Sequence, residues 1–480
     1  MSIKQEMISG VIWSAIEKYS GIIISIFISA VLARLISPSD FGVVTIATVL
    51  ISFLEIFAGL GIGPAIIQRK ELTDKNLDSI FTFTILIGCI LALILFSTSG
   101  LIASFYGNPI LIAICRILAI SLFFSSLNVV QLAVIQREKK FKLIAKRTLL
   151  LQIVSGSLSI IAAFNGAGIY ALVISPVFAS IGMFLFNYKY CPRKIDFSLD
   201  PKPLKLIYSF SLYQFLFTFM NYFSRNLDKL IIGRFFSLQD LGFYDKSYRL
   251  MMLPLQNVTH VVTPVMQPIF SSFQDDKSKL ADKYNMIVKL LGTISFPLSV
   301  FLYFSANEII QIVYGKSWIA SVPVFKILAL SLSIQMILST SGAIYQSVNA
   351  TKYLFYNGVS NTIVTVSGFV IAIYFFSSIE AVAWAWDITI TINIIISYLV
   401  MYKLVLNSSL FNMIKLLIVP VSASLVVAII LYLFDRYFFF VNLIALPIKF
   451  VIVIIIYCPI IQITKHYDIY SLMKLNFKRS

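Results

Sequence analysis

The chain has 480 residues, 59% hydrophobic and 12% charged, with a mean hydropathy of +0.91 and a formal net charge of +17. This balance excludes a water-soluble protein of several domains and points to an all-α polytopic membrane protein. Nucleic acid is not the expected partner, because the basic residues sit in short runs between apolar segments, as membrane orientation signals do.

Apolar runs of about twenty residues give about fourteen predicted transmembrane helices. Their limits are 11–36, 42–67, 79–104, 110–135, 148–164, 168–188, 208–236, 242–270, 284–306, 320–347, 353–376, 379–402, 414–434 and 440–464. The first run is too long, and the residues before it too weakly basic, for a cleaved signal peptide. With the N-terminus in the cytoplasm, Lys and Arg concentrate on the cytoplasmic connections, and only Lys316 and Arg436 fall on external ones. Both termini are therefore expected inside. The basic clusters around Arg137 to Arg147 and Lys189 to Lys205 then face the cytoplasm, where anionic lipid headgroups are their expected contact.

The sequence repeats itself. Ala33-Arg-Leu-Ile-Ser-Pro-Ser-Asp-Phe-Gly42 matches Gly233-Arg-Phe-Phe-Ser-Leu-Gln-Asp-Leu-Gly242 at an offset of 200. Arg116-Ile-Leu-Ala-Ile-Ser-Leu122 matches Lys326-Ile-Leu-Ala-Leu-Ser-Leu332 at an offset of 210. Spans one to six and seven to twelve therefore read as two parallel six-helix repeats, 1–206 and 207–403, followed by two additional helices and a basic tail in 404–480. An even number of spans per copy gives both copies one orientation, an arrangement that binds substrate between halves and alternates its opening.

The seventh span is the most informative. At 100° per residue, Ser211, Gln214, Thr218, Asn221, Tyr222, Arg225, Asp228 and Lys229 share a polar sector of about 120°. An ionised group at the bilayer centre costs about 2.5–3.5 kcal/mol, so these charges must meet each other or a wet pathway. A buried Arg225–Asp228 pin between helices is one reading. The length of the stripe favours a pathway wall. From 208 to 270 the cations Arg225, Lys229, Arg234, Lys246 and Arg249 outnumber Asp228, Asp240 and Asp245, which suits an anion, and Arg grips phosphate with a fixed fork of donors.

Other candidates follow in order. Lys18 lies beside Glu17 near the cytoplasmic third of span one, and Arg34 and Arg234 precede matching turns whose Asp40 and Asp240 could cap them. Glu55 and Asp387, isolated acids in apolar runs, are candidates for proton or cation coupling, with service as an arginine's counter-ion the alternative. Gly59, Gly61, Gly63 and Pro64 end span two, where close packing or a hinge is expected. His260 could titrate near neutral pH. The scattered Cys89, Cys115, Cys191 and Cys458 and the two histidines predict no disulfide framework, metal or cofactor, and no catalytic constellation stands out.

Asn226-Leu-Asp-Lys-Leu-Ile-Ile-Gly-Arg234, Asp240-Leu-Gly-Phe-Tyr-Asp-Lys-Ser-Tyr-Arg-Leu-Met-Met-Leu-Pro254, the stretch from Pro264 to Gln274 and the opening hairpin through Ser37 to Gly42 resemble the Wzx-type polysaccharide flippases of the multidrug/oligosaccharidyl-lipid/polysaccharide exporter superfamily. The resemblance covers essentially the whole chain. It implies a non-enzymatic transporter in the bacterial inner membrane, moving undecaprenyl-diphosphate-linked oligosaccharide to the periplasmic leaflet through a cationic cavity. Its expected partners are the bilayer, a polysaccharide polymerase and a chain-length regulator, and its expected drive is a proton or sodium gradient. Arg225, with Lys18, Lys229 and Arg249, would bind the diphosphate; Asp228, Arg34, Arg234, Asn221 and Tyr222 complete the expected substrate site. A drug exporter of the same superfamily would prefer an acidic cavity. A membrane-embedded polymerase or ligase would need larger external loops.

Overall fold

The computed structural model describes residues 3–69, 71–196, 215–216, 218–219, 222, 225–271, 273, 276–348 and 350–467. Every regular element among them is helical. A bilayer core offers no water to unpaired backbone groups, and helices satisfy theirs internally. The described chain forms two compact units, Met1–Gly242 and Phe243–Ser480. The 206/207 boundary drawn from the repeat lies outside the described residues.

The first unit begins with α1 (Ile3–Leu35), α2 (Pro38–Gly59), α3 (Ile62–Gln68) and α4 (Asp74–Tyr106). It continues with α5 (Ile110–Arg137), α6 (Phe141–Phe164), α7 (Tyr170–Tyr190) and α8, helical over residues 225–235. α5 is its hub, packed against α2, α3, α4 and α7, while α1 lies on α6. The second unit holds α9 (Leu238–Ser271, begun in the first), α10 (Lys277–Phe304), α11 (Ala306–Val313) and the broken run α12 (Ser321–Leu330), α13 (Leu332–Leu338) and α14 (Ser341–Ser347). α15 (Thr351–Phe375), α16 (Ile379–Val400), α17 (Leu410–Tyr437) and α18 (Asn442–Ile463) complete it.

Eleven helices among the described residues are long and apolar enough to cross a membrane, or twelve if the pair bent by 44° at Ser331 counts as one span. The predicted seventh span lies partly outside the described residues, its first seven positions among those not described. The eighth is a helix of 34 residues, α9, whose polar content keeps it below the apolar threshold. Two predicted spans are interrupted. The second breaks between α2 and α3, where Leu60 (φ 39°) and Gly61 (φ 68°) are left-handed. The tenth divides into α12, α13 and α14.

Local chemistry explains the starts. Ser37 caps α2, its Oγ accepting from the Asp40 backbone N–H (3.2 Å) and donating to Asp40 Oδ2 (2.7 Å), with Pro38 in the first turn. Ser237 does the same for α9 with Asp240 (3.1 and 2.6 Å). Asp40 and Asp240 thus hold the serines of their own turns. The matched cations of the second motif also behave alike: Arg116 lies over Phe96 (4.7 Å) and Lys326 over Tyr303 (5.5 Å), each ring on the preceding long helix.

The two capped turns meet. A Cβ on Gly42 would run into the Leu238 carbonyl, and one on Gly242 into the Pro38 carbonyl. Backbone therefore touches backbone, and only glycine fits both positions.

In the second unit the C-terminal pair is clamped by charge. Lys449, 1% exposed in the middle of apolar α18, donates to Glu308 Oε1 (2.6 Å) and the Phe304 carbonyl (2.7 Å) and pairs with Asp435 Oδ1 (2.7 Å). Toward the other end of α10, Tyr284, Tyr398 and Thr340 share hydroxyl bonds of 2.5 and 3.1 Å, joining α10 to α16 and to the turn between α13 and α14.

Two tests follow from this packing. Gly42→Ala or Gly242→Ala should cost about 1–3 kcal/mol, read as a lower unfolding midpoint of the purified protein, whereas Gly59→Ala, which meets nothing within 4 Å, should not. Lys449→Met should cost about 3–5 kcal/mol by stranding Glu308, and Glu308→Gln with Asp435→Asn in the same chain should restore most of the loss.

Candidate functional site

The polar stripe divides by exposure. Arg225 is exposed, while Asp228 is fully buried at 0% and Lys229 is buried. Asp228 Oδ1 accepts the Lys229 backbone N–H at 2.8 Å. Tyr222 donates its hydroxyl to the Val49 carbonyl of α2, holding this part of the chain against α2, and Gln214 and Asn221 lie outside the described residues. Arg234 lies over the Phe105 ring at 5.0 Å, Arg34 is exposed, and Lys18 is half-buried. In the second unit Arg249 Nε donates to buried Asp245 Oδ2 at 2.6 Å while its side chain stays 56% exposed. Lys246 is buried over Tyr314 (5.1 Å) and Trp318 (6.0 Å). The side chain of His260 lies outside the description.

The two isolated acids sit in different surroundings. Asp387 on α16 is 6% exposed and shares a cavity of about 280 Å3 with Ser331, at the break between α12 and α13. Glu55 is exposed, one turn before the α2–α3 break, and lines a cavity of about 380 Å3 with Gln136, Thr218 and Phe215. Gly59, Gly61 and Gly63 line that cavity as well. A Cβ at Gly59 or Gly63 would meet nothing within 4 Å, so open space rather than close helix packing surrounds them. Gly61 needs its glycine for φ 68°.

Sequence reasoning missed two buried cations. Arg147, assigned to the headgroup-facing basic cluster, is 3% exposed inside the bundle of α5, α6 and α7. Its guanidinium donates to Asn187 Oδ1, and Asn187 Nδ2 donates to Asn128 Oδ1 at 2.6 Å. Nothing in the local pattern separates Arg147 from its exposed neighbours. Lys449 did carry a signal, since a lone lysine within an apolar helix demands counter-ions, and Glu308 and Asp435 supply them.

Residues 31–323 match the family described as polysaccharide biosynthesis protein. The chain belongs to that family. Teichuronic acid biosynthesis protein TuaB of Bacillus subtilis strain 168 is 27% identical over 414 residues, covering 85% of each chain. Lipopolysaccharide biosynthesis protein WzxC of Escherichia coli strain K12 is 26% identical over 436 residues, covering 90% of this chain and 88% of that one. Among solved structures, the inward closed conformation of the lipid II flippase MurJ is similar with a TM-score of 0.75 at 18% identity, covering 95% of this chain and 98% of that one. This family member thus has the flippase-type exporter fold expected from its motifs. It is a multi-pass membrane protein.

The buried Arg147 network predicts an ordered series. Asn187→Leu should destabilise the protein by about 3 kcal/mol or more, because a buried guanidinium loses its acceptor. Asn187→Asp, which restores an acceptor and adds a counter-charge, should unfold at a clearly higher temperature than Asn187→Leu.

Proposed function

We propose that this transporter moves an undecaprenyl-diphosphate-linked oligosaccharide repeat unit, destined for O-antigen, capsule or exopolysaccharide, from the cytoplasmic to the periplasmic leaflet of the bacterial inner membrane. Its two six-helix repeats and two additional helices make fourteen spans with both termini cytoplasmic, and the repeats alternate access to a cationic cavity. The observation that carries this reading is the exposed Arg225, set on a helix of a family member whose relatives are named for teichuronic acid and lipopolysaccharide biosynthesis.

A diphosphate entering a low-dielectric interior loses its hydration, and guanidinium forks replace it with charge-assisted hydrogen bonds. Arg225 is the principal anchor, with Lys18, Lys229 and Arg249 adding charge. Buried Asp228 orients the anchor, and Arg34, Arg234, Asn221 and Tyr222 extend the site. The sugars occupy the polar cavity while the prenyl chain remains in lipid. Asp387, an acid buried beside a helix break, is the first candidate to couple transport to a proton or sodium gradient, with Glu55 the second. A polymerase and a chain-length regulator receive the product.

The test is lipid analysis of a deletion strain. Lipid-linked repeat units should accumulate on the cytoplasmic face, wild type should clear them, and Arg225→Ala at equal protein abundance should not. Normal surface polysaccharide in the Arg225→Ala strain would overturn the assignment of the anchor. Accumulation on the periplasmic face would place the defect after translocation.

A further inference from the structure

The cavity beside the α2–α3 break has a composition unlike the cationic stripe. Glu55 is the one ionisable side chain among its described lining residues, and it is an acid rather than a cation. Ser125 of α5 lies beside the Glu55 side chain, and a carboxylate has lone pairs to offer a ligand as well. Gln136 adds a carboxamide, and Thr218 a hydroxyl. Phe215 supplies a ring face, and that ring is held by Phe57 (5.2 Å, edge-on) and Phe219 (5.8 Å). The open space over Gly59 and Gly63 lets a ligand lie against backbone. At about 380 Å3 the cavity is near the small end of ligand pockets, the size for one or two rings rather than a whole repeat unit.

The geometry points to a binding subsite for a sugar ring bearing a free, protonated amine, with Glu55 as its counter-ion, Gln136 and Thr218 on its hydroxyls and Phe215 against its apolar face. A flat aromatic face with hydroxyl-binding groups is what a pyranose needs, and the Glu55 carboxylate adds the preference for an amine. A uronate would be repelled. The inference rests on the transporter reading above and deepens it: the glycan would carry negative charge at its diphosphate end and positive charge at the sugar seated beside Glu55.

The test uses full-length protein in lipid nanodiscs, titrated with D-glucosamine, D-glucose, N-acetyl-D-glucosamine and tetraphenylphosphonium, with saturation-transfer NMR as readout. Glucosamine should bind roughly ten-fold more tightly than glucose or N-acetylglucosamine, the difference between a charge-assisted and a neutral hydrogen bond. Glu55→Gln should remove that preference and leave weak binding of all three sugars; Gln136→Ala should weaken all three and keep the preference. Equal binding of the three sugars by wild type, or a preference that survives in Glu55→Gln, overturns the proposal. So does absence of sugar binding. Tetraphenylphosphonium binding that exceeds every sugar and depends on Glu55 would make the cavity an organic-cation site instead. These outcomes are separable from the flipping reading: if the amine preference fails while the deletion strain still accumulates cytoplasmic-face lipid, only the subsite falls.

Discussion

The carbonyl of Leu238 occupies the space that a side chain at position 42 would need, and the carbonyl of Pro38 does the same at position 242. This mutual approach of two backbone turns organises the first unit. Each turn is a serine-capped helix start, so both α2 and α9 begin at the contact. α2 then carries Val49, where Tyr222 docks, and Glu55 at its far end. Interior packing is dense enough that an added methyl group there must move backbone rather than a side chain.

Charge in the apolar spans is handled in two ways. Where a cation is buried its partners are in place, as with Lys449 between Glu308 and Asp435 and Arg147 against Asn187, because removing a partner would leave an uncompensated charge in a poor dielectric. Arg225, Arg34 and Glu55, by contrast, are exposed. The buried set holds helices together. Exposure therefore sorts the charges more usefully than position along the chain does.

The helix breaks carry acids of both kinds, exposed Glu55 and buried Asp387. A regular helix has no spare backbone groups, whereas the left-handed pair at Leu60 and Gly61 and the bend at Ser331 interrupt one. Each break has an acid next to a cavity beside it, Glu55 in the first unit and Asp387 in the second. Leu60 at φ 39° is a conformation that costs an L-residue about 1–2 kcal/mol, which the surrounding packing must supply.

The sequence by itself determined the membrane class, the helical content, the family and most element positions, because hydrophobicity, capping residues and turn glycines are local signals. Ser37 and Ser237 start their helices with the nearest few residues alone. The motif also identified Arg225, Asp228 and Lys229 as one stripe, since helical periodicity places them together. It could not say that Arg225 is exposed while Asp228 and Lys229 are buried, because burial depends on which other helices cover each position. The same limit hid Arg147, whose partner Asn187 is 40 residues away, and left Gly59 and Gly63 looking like packing residues when they border open space. Tertiary structure alone decided the meeting of Gly42 with Leu238, the clamp on Lys449 and the cavity beside Glu55. Each requires side chains or backbone from distant segments to arrive at one place, and no local preference encodes that arrival.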